Sequence, residues 1–422
     1  MKTTRLPSRQ VLLLAISILA LALPACSEII VQQTNKASTP PVSPSPTTVF
    51  TQPPSTPTAT TMPPTTSAPS PTSTQPPTKI PAPPTVSATA PSLPPASWQR
   101  ISDLPRQINT LVVDPTNPQV IYAGTGDNGS GCGVYKSEDA GLTWRLASSG
   151  LPSEDVTALA LSRDVPPTLY AAVGVRGDVF ASSDGAQSWA RVGDTGLFGG
   201  YDRLLRADPS DGRVLFAIAK SNGLVRSSDG GQAWLPVGEG LPGDEYGTFV
   251  LSLAIDPTDA NVIYLGSGGF VGQGHGVYKS TDGGETWASA NRGMIDYRIT
   301  ALAVDPARPQ TVYAGGDAGE LFKSSDGGQT WSDLTDALPI PEHLHSSIRD
   351  IVLDPAAPET VYLLCDYLGV LVSYDGGEKW RTLGKPGEPD NPSFTAMVII
   401  FDPQPLLVVG VEREGGWRYA TD

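Results

Sequence analysis

The chain has 422 residues, 44 glycines, 42 prolines, only 3 cysteines and a formal charge of −15. Three cysteines, Cys26, Cys132 and Cys365, make no disulfide framework and no CxxC pair. The acidic balance disfavours nucleic-acid phosphates and anionic lipid heads as partners.

The N-terminus reads as an address label. Lys2, Arg5 and Arg9 precede an almost wholly apolar run from Val11 to Leu23. As a helix that run would span about 20 Å, short of a ~30 Å hydrocarbon core, so it fits a signal-peptide core better than a permanent span. It ends Leu23-Pro24-Ala25-Cys26, which resembles a bacterial lipobox with Cys26 as the lipidated residue. Ordinary secretion with cleavage after Ala25 is the alternative. Residues 1–25 are thus expected to be a lipoprotein signal peptide and 26–97 a lipid-anchored linker. Ala37 to Ser97 is mostly Pro, Thr, Ser and Ala, with Lys79 as its only charge. Such a segment cannot bury a core and favours extended polyproline II, reaching roughly 190 Å at most. The expected location is the extracytoplasmic side of a bacterial membrane.

Lys2, Arg5, Arg9, Lys36 and Lys79 against Glu28 give the first 97 residues a net +4 and leave −19 for 98–422. That remainder is repetitive. Six copies of one turn motif run SEDAGLTW, SSDGAQSW, SSDGGQAW, STDGGETW, SSDGGQTW and SYDGGEKW. They pair Asp139 with Trp144, Asp184 with Trp189, Asp229 with Trp234, Asp282 with Trp287, Asp326 with Trp331 and Asp375 with Trp380. The spacing suits a hairpin turn. The carboxylate accepts turn amides and a Ser or Thr hydroxyl, glycine supplies positive φ, and Trp packs the hairpin on its neighbour. Upstream of each box lies a strand, an Asp-Pro turn and a second strand, as in LVVDPTNPQVIYAG and LAVDPARPQTVYAG, with weaker copies to make seven. Each unit therefore predicts four antiparallel strands, A to D, and one propeller blade.

The ends predict how the ring closes. GGWRYATD stops at Asp422, the Asp of a seventh box, while a Trp without a box stands at Trp98. The expected fold is all-β: a single seven-bladed propeller over 98–422 whose first strand completes the last blade, following the signal peptide and disordered stalk. A monomer is expected.

These boxes resemble the bacterial neuraminidase (Asp-box) repeat family, over essentially all of 98–422. The resemblance implies peripheral, structural boxes. It covers sialidases, xyloglucan-degrading glycoside hydrolases, sortilin-type receptors and the photosystem II assembly factor, a non-catalytic propeller that the single-ring exported layout resembles most. The sialidase Arg-Ile-Pro signature is absent, and the xyloglucan enzymes enclose a cleft between two propellers.

Ligands of propellers usually meet the D–A and B–C loops. Those loops carry Asp127, Asp202, Asp244, Glu245, Asp296, Glu342, Asp366 and Asp390, with Tyr201, Tyr246, Phe249, Phe270, Tyr297, Tyr367 and Phe394. Acids with aromatics suit sugar stacking and acid/base chemistry, and equally suit solvated loops with anchoring rings. The expected recognition face comprises Tyr201, Asp202, Tyr246, Phe270, Asp296, Tyr297, Asp366 and Tyr367. No catalytic residue, metal or cofactor is assigned. GTGDNG at 124–129 leads into a strand rather than a helix, so it is no dinucleotide loop. His275, His343 and His345 lack the ligand set of a zinc site. The reading is a membrane-anchored protein-binding or assembly module, with a glycoside hydrolase or carbohydrate binder as the alternative.

Overall fold

The computed structural model describes residues 97–127, 130–174, 176–195, 204–219, 223–242, 249–268, 275–294, 297–341, 344–387, 393–401 and 404–420. The signal-peptide, stalk and Cys26 assignments, and Asp422, lie outside them. All described residues belong to one compact unit, 85–422.

Strand β1 (Trp98–Arg100) comes first, and blades follow in chain order. Blade I is β2 (Ile108–Val113), β3 (Ile121–Asp127), β4 (Ser130–Ser137) and β5 (Arg145–Leu146). Blade II is β6 (Val156–Leu161), β7 (Leu169–Val173), β8 (Asp178–Ser182) and β9 (Ala190–Asp194). Blade III is β10 (Leu205–Ala207), β11 (Leu215–Ala219), β12 (Gly223–Ser227) and β13 (Leu235–Pro236). Blade IV is β14 (Phe249–Ile255), β15 (Ile263–Gly268), β16 (Gly276–Ser280) and β17 (Ala288–Ser289). Blade V is β18 (Ile299–Val304), β19 (Val312–Gly316), β20 (Leu321–Ser324) and β21 (Ser332–Asp333). Blade VI is β22 (Ile348–Leu353), β23 (Val361–Cys365), β24 (Gly369–Ser373) and β25 (Arg381–Gly384). Blade VII is β26 (Phe394–Ile400), β27 (Leu406–Val411) and β28 (Gly415–Ala420), with β1 as its outer strand. The expected seven-bladed ring and its closure are both present.

Each blade is an antiparallel meander, and side chains cap the described turns at one end, carboxylates in most and Ser162 in the A–B turn of blade II. The Asp-box turns follow the predicted chemistry. At Asp282, Ser280 Oγ donates to Oδ1 at 2.7 Å and accepts the Gly284 N–H at 2.9 Å. The Thr286 N–H donates to Oδ1 at 2.9 Å and its hydroxyl to Oδ2 at 2.5 Å. These donors, led by Thr286, hold the Asp282 carboxyl down at about 2. The A–B turns use the same economy: Asp256 accepts the Thr258 N–H and hydroxyl, both at 2.8 Å, and Asp114 does the same for Thr116.

The apolar core is divided among the joints between blades. Seven clusters of buried side chains are found, one per joint. Tyr264 and Val277 of blade IV, for example, pack on Ile299, Phe322 and Trp331 of blade V. Polar contacts reinforce the outer side of a joint. Tyr264 Oη and Lys279 Nζ both donate to the Gly327 carbonyl of the next blade's box, at 3.0 and 2.7 Å. Tyr313 and Lys323 repeat this at Gly376, both at 3.0 Å. Near the axis, a side chain on the inner strand reaches the next blade: Thr300 Oγ1 donates to Ile348 O at 2.7 Å and Asn109 Nδ2 to Val156 O at 3.1 Å. Glycines on the second strand permit this approach. A β-carbon at Gly315 would stand 2.6 Å from Ile348 Cγ2.

Trp98 occupies the seventh box position. Its indole donates to Leu383 O at 3.0 Å. Trp189 donates to Ala147 O and Trp331 to Ala290 O in the same way. Ala147, Ala290 and Leu383 each lie three residues after the box Trp of the preceding blade. Trp98 also packs on Tyr419 with ring centroids 5.1 Å apart. Cys365 is a free, fully buried thiol, and burial pushes its pKa up; the Cys132 side chain lies outside the described residues.

Trp98→Ala is expected to cost ~3 kcal/mol in urea denaturation of the full chain. Leu235→Ala, at a side chain 69% exposed, should change stability by less than about 0.5 kcal/mol. Gly315→Val should destabilise by more than ~2 kcal/mol, because neither the next blade's backbone nor branched Ile348 can retreat.

Candidate functional site

The ring presents two unlike ends. Asp boxes and Asp-Pro turns tie up one end, and the D–A and B–C loops form the other. A cavity of about 1070 Å³ runs along the axis between them. Asp155, Glu412 and Arg413 line it at the loop end, and Pro115 and Arg163 at the turn end. A shallower hollow of about 260 Å³, lined by Arg163, Pro257, Pro306 and Leu353, adjoins the turn end. The inner strands of all seven blades form the cavity wall, with Asn109, Thr157, Arg206, Ser252, Thr300, Asp350 and Thr395 among its residues.

Of the eight expected face residues, Tyr201, Asp202, Tyr246, Phe270 and Asp296 lie outside the described residues. The other three are placed. Asp366 is 6% exposed. One of its oxygens accepts Arg349 Nε at 2.7 Å and Nη2 at 2.6 Å, and the other accepts the Phe394 N–H at 3.1 Å. It thereby ties the inner strand of blade VI to that of blade VII. Tyr367 follows it at φ 63° in the B–C turn, a left-handed conformation that tips the chain back into β24. Tyr297 is half-buried and rests on Phe322 with centroids 5.1 Å apart. Phe394 is buried at the blade VI–VII joint. Another loop acid, Asp317, pairs with Arg298 at 2.7 Å. Asp366 therefore links blades VI and VII, Asp317 and Arg298 pair within blade V, and Asp366 and Tyr297 sit in different joints.

The charged residues inside the channel escaped the sequence reading. Arg206 of blade III stands where other copies have Val112, Ala160, Ala254, Ala303 and Val352. Asp350 of blade VI stands where others have Thr110, Ala158, Ser252 and Ala301. Aligning the seven copies against their Asp-Pro turns would have exposed both. Asp350 accepts the Ile351 N–H at 2.9 Å and is also hydrogen-bonded by the Met397 backbone. Enclosure by the ring pushes its carboxyl up to about 6, against the opposing pull of Arg206 and the two amides. Burial lowers the Arg206 pKa, and Asp350 works against that. Arg206 is surrounded by the ring yet keeps solvent-accessible surface, because the channel admits water.

Chemically, the channel is a mixed-charge passage. Arg163, Arg206, Arg349 and Arg413 share its wall with Asp155, Asp350 and Glu412. The three acids come from blades II, VI and VII. Among the described residues no group of three or more His, Cys, Asp or Glu side chains gathers as a metal site.

The model of the DUF6242 β-propeller domain matches residues 154–375, more than half of the chain. A GH74 xyloglucanase from Xanthomonas campestris superposes with a TM-score of 0.60 at 19% identity, covering 77% of this chain and 53% of that one. YCF48 bound to D1 peptide superposes with a TM-score of 0.58 at 16% identity, covering 79% of this chain and 97% of that one. At such identities the likeness is one of fold. In sequence, a xyloglucanase of a Paenibacillus species is 28% identical over 213 residues, 42% of this chain and 20% of that enzyme. One from Hypocrea jecorina is 29% identical over 189 residues, 43% of this chain and 17% of that enzyme. The chain thus spans a fifth or less of the curated enzymes it matches.

Because the folded carboxyl of Asp350 binds its proton more tightly than the unfolded one, stability should fall as pH rises from about 4 to about 6. Asp350→Asn removes that loss. The variant is expected to melt above wild type at pH 7.5, with the gap closing near pH 4, as followed by circular dichroism.

Proposed function

We propose that this chain, which belongs to the DUF6242 β-propeller domain family, is a non-catalytic binding module that captures a polypeptide segment on its D–A/B–C loop face. The observation that carries this is coverage. The chain accounts for 97% of a one-propeller protein whose structure holds a peptide, and for only 53% of a xyloglucanase chain. One ring offers a rim and an axial mouth, a shape suited to an extended segment. The described loop acids support the same reading. Asp366 and Asp317 are engaged by Arg349 and Arg298 rather than presented as an open pair of carboxylates. The N-terminal features complete the proposal: a lipid on Cys26 and the 37–97 stalk would hold the ring off an extracytoplasmic membrane surface, beside the membrane proteins it serves.

A second reading is favoured by the 28–29% identity to xyloglucanases and by Asp350, a carboxyl raised to about 6 as a general acid requires. It would make the ring a carbohydrate binder or a glycosidase.

A photo-crosslinking residue at position 367 on the loop face, compared with one at 235 on the outer edge, separates the two. The binding reading expects polypeptide adducts from 367 and none from 235, with no reducing sugar released from xyloglucan or β-glucan. Sugar release by wild type that Asp350→Asn abolishes would contradict it.

A further inference from the structure

We propose that the axial channel is a site for a small zwitterion, its carboxylate held by Arg206 of blade III and its ammonium by Asp350 of blade VI. The two residues lie three blades apart in a ring of seven, so they face one another across the axis rather than side by side. They sense each other electrostatically, yet no ion pair joins them. Among the described residues, the one hydrogen bond found for the Arg206 guanidinium is to its neighbour's carbonyl, Leu205 O, at 3.0 Å. Among the described residues no carboxylate pairs with the rest of that fork. Asp350 takes two backbone donors, which leaves lone pairs for a third.

The channel thus holds two charges of opposite sign, each with hydrogen-bonding capacity that its described neighbours leave open. The other inner strands show no structural need for them, since Val, Ala and Ser fill the same positions. The channel has ample room, about 1070 Å³. A guanidinium grips a carboxylate through two parallel hydrogen bonds, and a carboxylate is the natural acceptor for an ammonium. A simple anion would satisfy Arg206 while repelling Asp350, and a simple cation would do the reverse. Only a ligand carrying both charges at matched spacing satisfies both, which makes charge separation the selective property. The class is that of free amino acids and related amino-carboxylates. The site is independent of what docks on the rim.

The test is a ladder of amino-carboxylates of increasing length, β-alanine, γ-aminobutyrate and ε-aminocaproate, titrated into the full chain by calorimetry, with acetate and propylamine as single-charge controls. One length is expected to bind with saturable heat, at least about tenfold tighter than either control. Arg206→Gln and Asp350→Asn, checked for folding by circular dichroism, should each reduce that ligand to the level of the controls. Acetate binding as well as the best amino-carboxylate would overturn the proposal in favour of a bare anion site. No saturable binding by any rung at millimolar concentration would overturn it outright. The wild-type ladder decides the question even where a variant unfolds.

Discussion

The structure depends on its joints. A four-stranded blade has two apolar faces and cannot bury either alone, so each face must find the next blade. The buried clusters fall one to a joint, which leaves no central core to hold an opened ring together. The last joints are therefore worth as much as any other, and the first strand contributes to them: β1 pairs with β28, Trp98 opposite Tyr419, and Trp98 packs against the cluster between blades VI and VII. Ile101 and Leu104, just beyond β1, pack with Ile108, Ile400 and Val408 in the joint between blades VII and I. One short segment thus serves both faces of blade VII.

Much of this was legible because it is short-range and repeated. Asp boxes, Asp-Pro turns and strand pairs are set by neighbours a few residues away, so seven copies reinforce one reading. The closure was legible for a related reason: a box without its Trp at one end and a Trp without its box at the other. What bridges blades was harder to read. Tyr313 reaches Gly376 and Thr300 reaches Ile348 over separations of 63 and 48 residues. The recurrence of Lys136, Lys279 and Lys323 in the third strand was the available signal. Each lies over the Tyr of its own blade, with its Nζ 5.6, 5.2 and 5.4 Å from the ring centroid.

The loop face shows the other limit of sequence. A list of acids does not say which are already spent. Asp366 looked like its fellows until Arg349, seventeen residues earlier, was seen to grip it. Phe394 looked like a ring for stacking and is instead buried between blades. Conversely, the charges with least structural employment, Arg206 and Asp350, sit on strands that a hydrophobic reading passes over as wall. The rim and the channel thus differ: Asp366 and Asp317 at the rim are paired with Arg349 and Arg298, and the axis keeps Arg206 and Asp350 apart.

Native-state hydrogen exchange of the full chain tests the closure most directly. The account predicts that amides of β1 and β28 exchange only in the same cooperative opening as those of β15 and β16, on the opposite side of the ring. Exchange of residues 98–100 and 415–420 at loop rates, while 263–268 and 276–280 stay protected, would contradict it.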